Sequence, residues 1–379
     1  MLSESAFDTE EILEGIIAWS GVESPSHNTS GVNAMMDLAM GALDELGAES
    51  ERLPGLDGFG DVVTGRLAGN DGVSGPGILI LSHLDTVHET GTLDSVLPIS
   101  RDGDRVYGPG ILDMKGGARL GIEAMRALRR ENISPKLPVT FMFTPDEEVG
   151  SPSSRERIEG QAKRHKYILV PEPLRPWGDV VTGRHAIQRF IVRTHGAPSH
   201  AGLTKAQGRS AIAKMAQLIT RIEAMTDYER GTTYSVGTLK GGTFVNVVAV
   251  TCEAQVLCVA PSDELLEQVR ANMRALEGEE DEVRIEVEQG VVRPVAKPHE
   301  ETMALYEVAR GLAGEIGLEF GHCQSGGGSD GNFTGALGLA TLDGLGVAGA
   351  GAHTFEEHLL ISSLAPRCRL LAGLLETLQ

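Results

Sequence analysis

Apolar residues run almost unbroken from Gly77 to Leu81 in "GILILSHLD", the pattern of a strand buried on both faces. The same run then ends in polar groups, with His83 and Asp85 two positions apart. Around it, a 3.6-residue period over 31–47 (Val32, Met35, Met36, Ala39, Leu43, Leu46) predicts a helix, as does 9–20. "DVVTGRLAG", "LPVTFMFTPDEE" and "RHKYILVPEP" read as strands, and "GGARLGIEAMRALRRE" reads as a helix entered through glycines. Strands alternating with helices predict an α/β layer with a mainly parallel sheet.

The pattern changes after "EPLRPWGD". "VVTGRHAIQRFIVRTHG" predicts two strands or one bent hairpin, and "RSAIAKMAQLITRIEAMT" an amphipathic helix. "TTYSVGTLKGG" and "VVAVTCEAQVLCVA" predict strands, "SDELLEQVRANMRALE" a helix with a Ser/Asp cap, and "VRIEVEQGVV" a last strand. This β-α-β-β-α-β order predicts a ferredoxin-like α+β domain over 178–294, inserted into an α/β domain formed by 1–177 and 295–379.

A chain of 379 residues has room for two cores. Its formal charge of −20 repels phosphate backbones and argues against a nucleic-acid partner. No apolar run approaches the roughly 20 residues that span a bilayer, and the acidic N-terminus does not read as a signal peptide. Cys252, Cys258, Cys323 and Cys368 form no CxxC pair and read as free thiols. A cytoplasmic location is the expectation.

Ligands of α/β sheets gather at the C-terminal ends of strands. There the chain places His83 and Asp85, then Asp113 in "YGPGILDMKGG", Glu147 and Glu148 in "TPDEEVGS", and Glu172 in "EP". His353 follows much later in "GAGAHTFEEH". Imidazoles and carboxylates at one sheet edge are donors that Zn²⁺ accepts. Each cluster alone also fits a packing histidine or a solvated loop acid; their recurrence at successive strand ends points to one site. His83 and Asp85 close one strand, where residues two apart point the same way, so both are expected to face one site together.

"SHLDTV", "YGPGILDMKGG", "TPDEEVGS", "EP", "SHAG", "GGGSD" and the late His353 stand in an order that resembles the two-metal peptidase and amidohydrolase family. That family includes glutamate carboxypeptidase, aminoacylase, acetylornithine deacetylase and succinyl-diaminopimelate desuccinylase. The resemblance runs nearly end to end and is nearest the glutamate-carboxypeptidase branch. It implies two divalent ions per chain, zinc first, with cobalt or manganese as alternatives. His83 and Glu172 would complete one site and Glu148 and His353 the other, with Asp113 bridging and followed by a cis peptide bond. Asp85 would orient His83, and Glu147 would be the general base.

The resemblance further implies that the inserted domain is a lid that dimerises, and that His200 in "SHAG" reaches a partner subunit's active site. Asn246 would contact substrate and Arg293 would grip a substrate carboxylate. Backbone N–H groups at Gly327 and Gly328, before an expected helix start, could meet an anion, although a flexible turn fits the same glycines. Some family patterns are altered: "NVVAV" stands for "NVVPA", Val259 stands where an arginine is common, and "GRHAI" replaces a Lys-Gly or Ser-Gly turn. The expected activity is hydrolysis of an amide bond in a small carboxylate-bearing molecule. The alternatives are a hydrolase of a non-peptide amine or conjugated acid, and a binding protein on the same fold.

Overall fold

The computed structural model describes residues 1–70, 75–176 and 178–379. They form two compact units: Met1–Gly183 with Ala296–Gln324 and Ser329–Gln379, and Arg184–Val295 with Ser325–Gly328. Trp177, where the sequence reading ends its first domain segment, lies outside the described residues.

The larger unit is built on a sheet whose centre is parallel. Gly77–His83 lies between Val139–Thr144 and His165–Val170, and Ala340–Asp343 pairs with His165–Val170, all in parallel register. Every residue of Gly77–His83 and of Val139–Thr144 is buried, as expected for strands covered on both faces. The flanks are antiparallel: Glu49–Leu53 on Val62–Leu67, Val62–Leu67 on Val139–Thr144, and Val180–Arg184 against Ala340–Asp343. The sheet is therefore mixed, which corrects the mainly parallel expectation. Hydropathy finds the buried centre but cannot give the direction of a flanking strand.

Helices Thr9–Ser20, Thr29–Glu45, Lys115–Arg130 and Leu364–Thr377 supply much of the surrounding core. Asp8 starts the first by accepting N–H bonds from Glu10 and Glu11. Trp19 meets Phe143 edge to face at 6.0 Å between ring centres. A small sheet of Gly349–Ala350, His358–Leu360, Arg105–Tyr107 and Ser100–Asp102 was not foreseen, because strands of two or three residues carry no readable period. It matters because the turn between its first two strands carries His353.

The second unit is an antiparallel sheet in the order Thr233–Gly241, Thr251–Ala260, Ala186–His195, Val283–Arg293, Gly278–Glu280. Ala186–His195 alternates buried and half-buried positions along its length. Helices Ala211–Glu223 and Asp263–Arg274 share a core with it through Met215, Leu218, Val269 and Met273. Ser210 and Ser262 cap these helices. "VVAV", expected to open a strand, lies outside it, since the strand begins at Thr251. Cys252 and Cys258 share that strand as buried free thiols.

Candidate metal centre

The strand Gly77–His83 ends on His83, and pairing continues one step further where Leu84 N–H donates to Thr144 O. Asp85 thus lies beyond the strand, not within it as expected. Asp113 precedes helix Lys115–Arg130, and its bond to Met114 is cis. Gly117 lets that helix pack on the Pro171 carbonyl, beside Glu172; a Cβ there would collide with it. Glu147 and Glu148 open a short 3₁₀ turn after strand Val139–Thr144. His353 sits at φ +64°, a left-handed conformation that costs a non-glycine residue energy and recurs at functional sites.

These residues converge within the larger unit. His83 Nε2 lies 3.3 Å from Asp113 Oδ1 and 3.8 Å from Glu172 Oε1. His353 Nε2 lies 3.3 Å from Asp113 Oδ2 and 3.2 Å from Glu148 Oε2. Asp113 therefore presents one oxygen to each imidazole. His83, Asp113 and Glu148 each offer a donor atom within 4.8 Å of the others.

Asp85 is fully buried behind this group. Its Oδ1 accepts Glu147 N–H at 3.0 Å, and its Oδ2 accepts Glu148 N–H at 3.1 Å and the Ser26 hydroxyl at 2.6 Å. The contact with His83 is made chiefly by the Asp85 backbone: its carbonyl is 2.9 Å from Nδ1, against 3.4 Å for the carboxylate. One residue thus sets both the imidazole and the glutamate pair.

The electrostatics are those of a site short of positive charge. Burial pushes Glu148 up to about 8, with Asp113 adding repulsion, and burial likewise holds Glu172 well above the carboxylate range. Burial would also raise Asp113, but hydrogen bonds from His353 and His83 overcome it and hold the carboxyl well below its usual value. Hydrogen bonds to Asp113 and Glu148 lift His353 to about 11. Burial opposes charge on His83, yet Asp113 and Asp85 raise it strongly, with help from the charge on Glu147. Crowded oxygen and imidazole donors that draw protons in the absence of a cation fit a divalent metal ion.

Sequence reasoning missed the support beneath Asp113. Glu357 is buried and accepts N–H bonds from Gly110 (3.1 Å), Leu112 (2.9 Å) and Asp113 (3.0 Å). His88 donates to the same carboxylate at 2.6 Å if its Nε2 carries the proton. The only sequence signal was an acid four residues after His353, in a segment that reads as an exposed acidic turn. Below the Glu147 turn, Asp330 accepts from Thr144 Oγ1 and Ser151 Oγ, so the "GGGSD" aspartate serves the frame of the site.

The remaining candidates belong to the second unit. His200 is exposed, and its Nδ1 accepts N–H bonds from Gly202 and Leu203, which leaves the proton on Nε2. Asn246 is exposed beside it, with its carbonyl accepting Ala201 N–H. Arg293 is buried at the end of its strand and packs against Gly328, where a Cβ would strike its side chain. Arg184, which the sequence reading passed over, donates to the carbonyls of Gly327 (2.7 Å) and Gly328 (2.9 Å). The helix expected after these glycines has only six residues, Gly331–Ala336, too short to offer an anion site at its start.

Among described residues no helix is long and apolar enough to cross a membrane. The chain is 28% identical to carboxypeptidase G2 of Pseudomonas sp. (strain RS-16) over 97% of its own length and 89% of that enzyme. It is 28% identical to acetylornithine deacetylase of Myxococcus xanthus over 58% of this chain and 59% of that one. Its fold matches aminopeptidase PepT of Bacillus cereus with a TM-score of 0.72 at 24% identity, covering 98% of this chain and 99% of the other. An M20 family metallo-carboxypeptidase of Sulfolobus solfataricus matches with a TM-score of 0.71 at 16% identity, covering 98% and 99%. Residues 79–377 fit the profile of peptidase family M20/M25/M40, and that span contains every residue of the cluster around Asp113: the chain belongs to this family of hydrolases acting on C–N bonds.

Proposed function

We propose that this protein hydrolyses an amide bond in a small carboxylate-bearing substrate, using two divalent ions held by His83, Asp113, Glu148, Glu172 and His353. The observation that carries this is Asp113 presenting separate oxygens to His83 and His353. Zinc suits the mixed imidazole and carboxylate donors, and cobalt or manganese could substitute. When bound, the ions polarise the scissile carbonyl and lower the pKa of water.

Glu147 then takes the proton from that water and returns it to the leaving nitrogen. Its backbone is fixed by Asp85, which leaves its carboxylate as the one acid of the pair not assigned to metal. Asp85 orients without touching substrate. Arg293, His200 and Asn246 would bind substrate, whereas the Gly327–Gly328 backbone loses its expected role, since Gly327 N–H donates to Ser325 Oγ. The order of the second unit is β-α-β-β-α-β-β, the β-α-β-β-α-β pattern with the short strand Gly278–Glu280 added, which supports reading it as a ferredoxin-like lid. Its exposed Phe244, Val245 and Leu203 support pairing of two copies through it.

The test is an assay of the purified protein loaded with zinc, cobalt or manganese against N-acyl amino acids, dipeptides and related aryl amides. Hydrolysis that disappears in Glu147→Gln is expected. No turnover across the panel with any of the ions would overturn the reading.

A further inference from the structure

Arg367 stands on the last helix, Leu364–Thr377, with its side chain buried. Among the described residues no carboxylate pairs with it. Burial pulls its pKa down to about 10, which still leaves it charged near neutral pH. A buried cation without a counter-ion is costly unless its donors are satisfied. Nε donates to Gly346 O at 2.9 Å and Nη2 to Gly344 O at 2.6 Å. Phe320 lies beside the guanidinium, with its ring centre 5.9 Å from Cζ. A charged, planar fork is thus committed to one turn of backbone.

That turn runs beside the segment that carries Glu172. Leu345 N–H donates to Val170 O, Gly346 N–H to Glu172 O at 2.8 Å, and Leu174 N–H to Val347 O. Pro171 and Pro173 have no N–H, so the turn supplies donors that the Glu172 segment lacks. The approach is close: a Cβ at Gly346 would collide with the carbonyls of both Pro171 and Glu172. Helix Lys115–Arg130 meets the same Pro171 carbonyl at Gly117, so the segment is held between helix and turn. Glu148 and His353 are fixed differently. Asp85 anchors the Glu148 backbone, and the loop carrying His353 is closed by its own strand pairs, Gly349 with Leu359 and Ala350 with His358.

We infer that Arg367 is the positioning residue for Glu172: its guanidinium fixes the turn, and the turn fixes the Glu172 backbone. The ion between His83, Asp113 and Glu172 therefore depends on Arg367, and the ion on His353 and Glu148 does not. The inference rests on the two-metal reading above and sets its two sites apart.

The test compares the parent with Arg367→Lys, which keeps a cation but not the fork, and with Cys368→Ala. Cys368 is a fully buried neighbour on the same helix whose Sγ faces Leu120 O rather than the turn. Equilibrium dialysis with zinc ranks the bound ions, and anomalous maps from crystals at limiting and excess zinc locate them. In Arg367→Lys one binding constant should fall by about 10–100-fold, and the peak that fades at limiting zinc should be the one at Glu172. Gly346→Ala, which pushes the turn off Pro171, should give the same loss and replaces the lysine variant if that protein does not fold. Cys368→Ala should lower the unfolding temperature and leave both constants near those of the parent. Equal weakening of the two sites in Arg367→Lys, no weakening, fading of the His353 peak instead, or the same asymmetry in Cys368→Ala overturns the inference.

If the parent binds no zinc, the two-metal reading fails, and amide exchange of the metal-free proteins decides the role of Arg367. In Arg367→Lys the Gly346 and Leu174 N–H groups should then exchange about tenfold faster or more, with the Leu84 N–H beside His83 unchanged. Faster exchange at all three groups, or at none, overturns it.

Discussion

Asp85 holds the backbone of Glu147: its Oδ1 accepts the Glu147 N–H at 3.0 Å, while its other oxygen serves Glu148 and Ser26. Asparagine keeps the shape of this side chain but turns one acceptor into a donor, which would face an N–H or a hydroxyl. Asp85→Asn is expected to lower metal affinity or turnover by about 10–100-fold, the usual cost of losing a group that orients ligands. Zinc titration together with kinetics checks it.

Glu357 plays the matching part for Asp113. It accepts three backbone N–H bonds from Gly110–Asp113 and one contact from His88, all within the interior. Glu357→Gln should weaken the charge-assisted bonds, each of which contributes roughly 1.5–3 kcal/mol. The expected outcome is weaker metal binding by about tenfold or more, with a lower unfolding temperature even in metal-free protein. Equilibrium dialysis and calorimetry read the two effects separately.

Glu147→Gln should behave differently. Metal content should stay near that of the parent, while turnover falls by about 10²–10⁴-fold as proton transfer is lost. A variant that lost metal and activity together would place Glu147 among the ligands instead.

The acid side of the stability profile has a separate source. His165 is buried with Nδ1 2.8 Å from Gln161 O and Nε2 2.9 Å from Thr140 Oγ1, and burial depresses its pKa below the ordinary value. A depressed folded pKa means that its contribution is complete above the unfolded value of about 6.5 and is lost as pH falls through the folded one. His165→Gln should therefore show a smaller drop in unfolding temperature than the parent between about pH 7 and about pH 5, by differential scanning calorimetry.

Much of the centre was legible because its residues sit at strand ends, where a break in hydropathy marks them. His83, Asp113, Glu148, Glu172 and His353 all lie where an apolar run or a glycine turn gives way to polar chemistry, and the fold brings them together. Asp85 was legible as a partner of His83 but not as the anchor of Glu147, since that contact is to a backbone group 62 positions away. Glu357 was illegible for a related reason: it binds main-chain N–H groups more than 240 positions distant, and backbone leaves no residue-type signal. The direction of the flanking strands escaped as well, because alternation reports which face is buried and not which way the chain runs.

The central claim is that Asp113 is shared between two cations. Diffraction from crystals of the protein soaked in zinc, with anomalous maps recorded above and below the zinc edge, tests it most directly. About two peaks per chain are expected, one between His83, Asp113 and Glu172 and one between His353, Asp113 and Glu148. A lone peak, or ions bound elsewhere with Asp113 touching none, would contradict it.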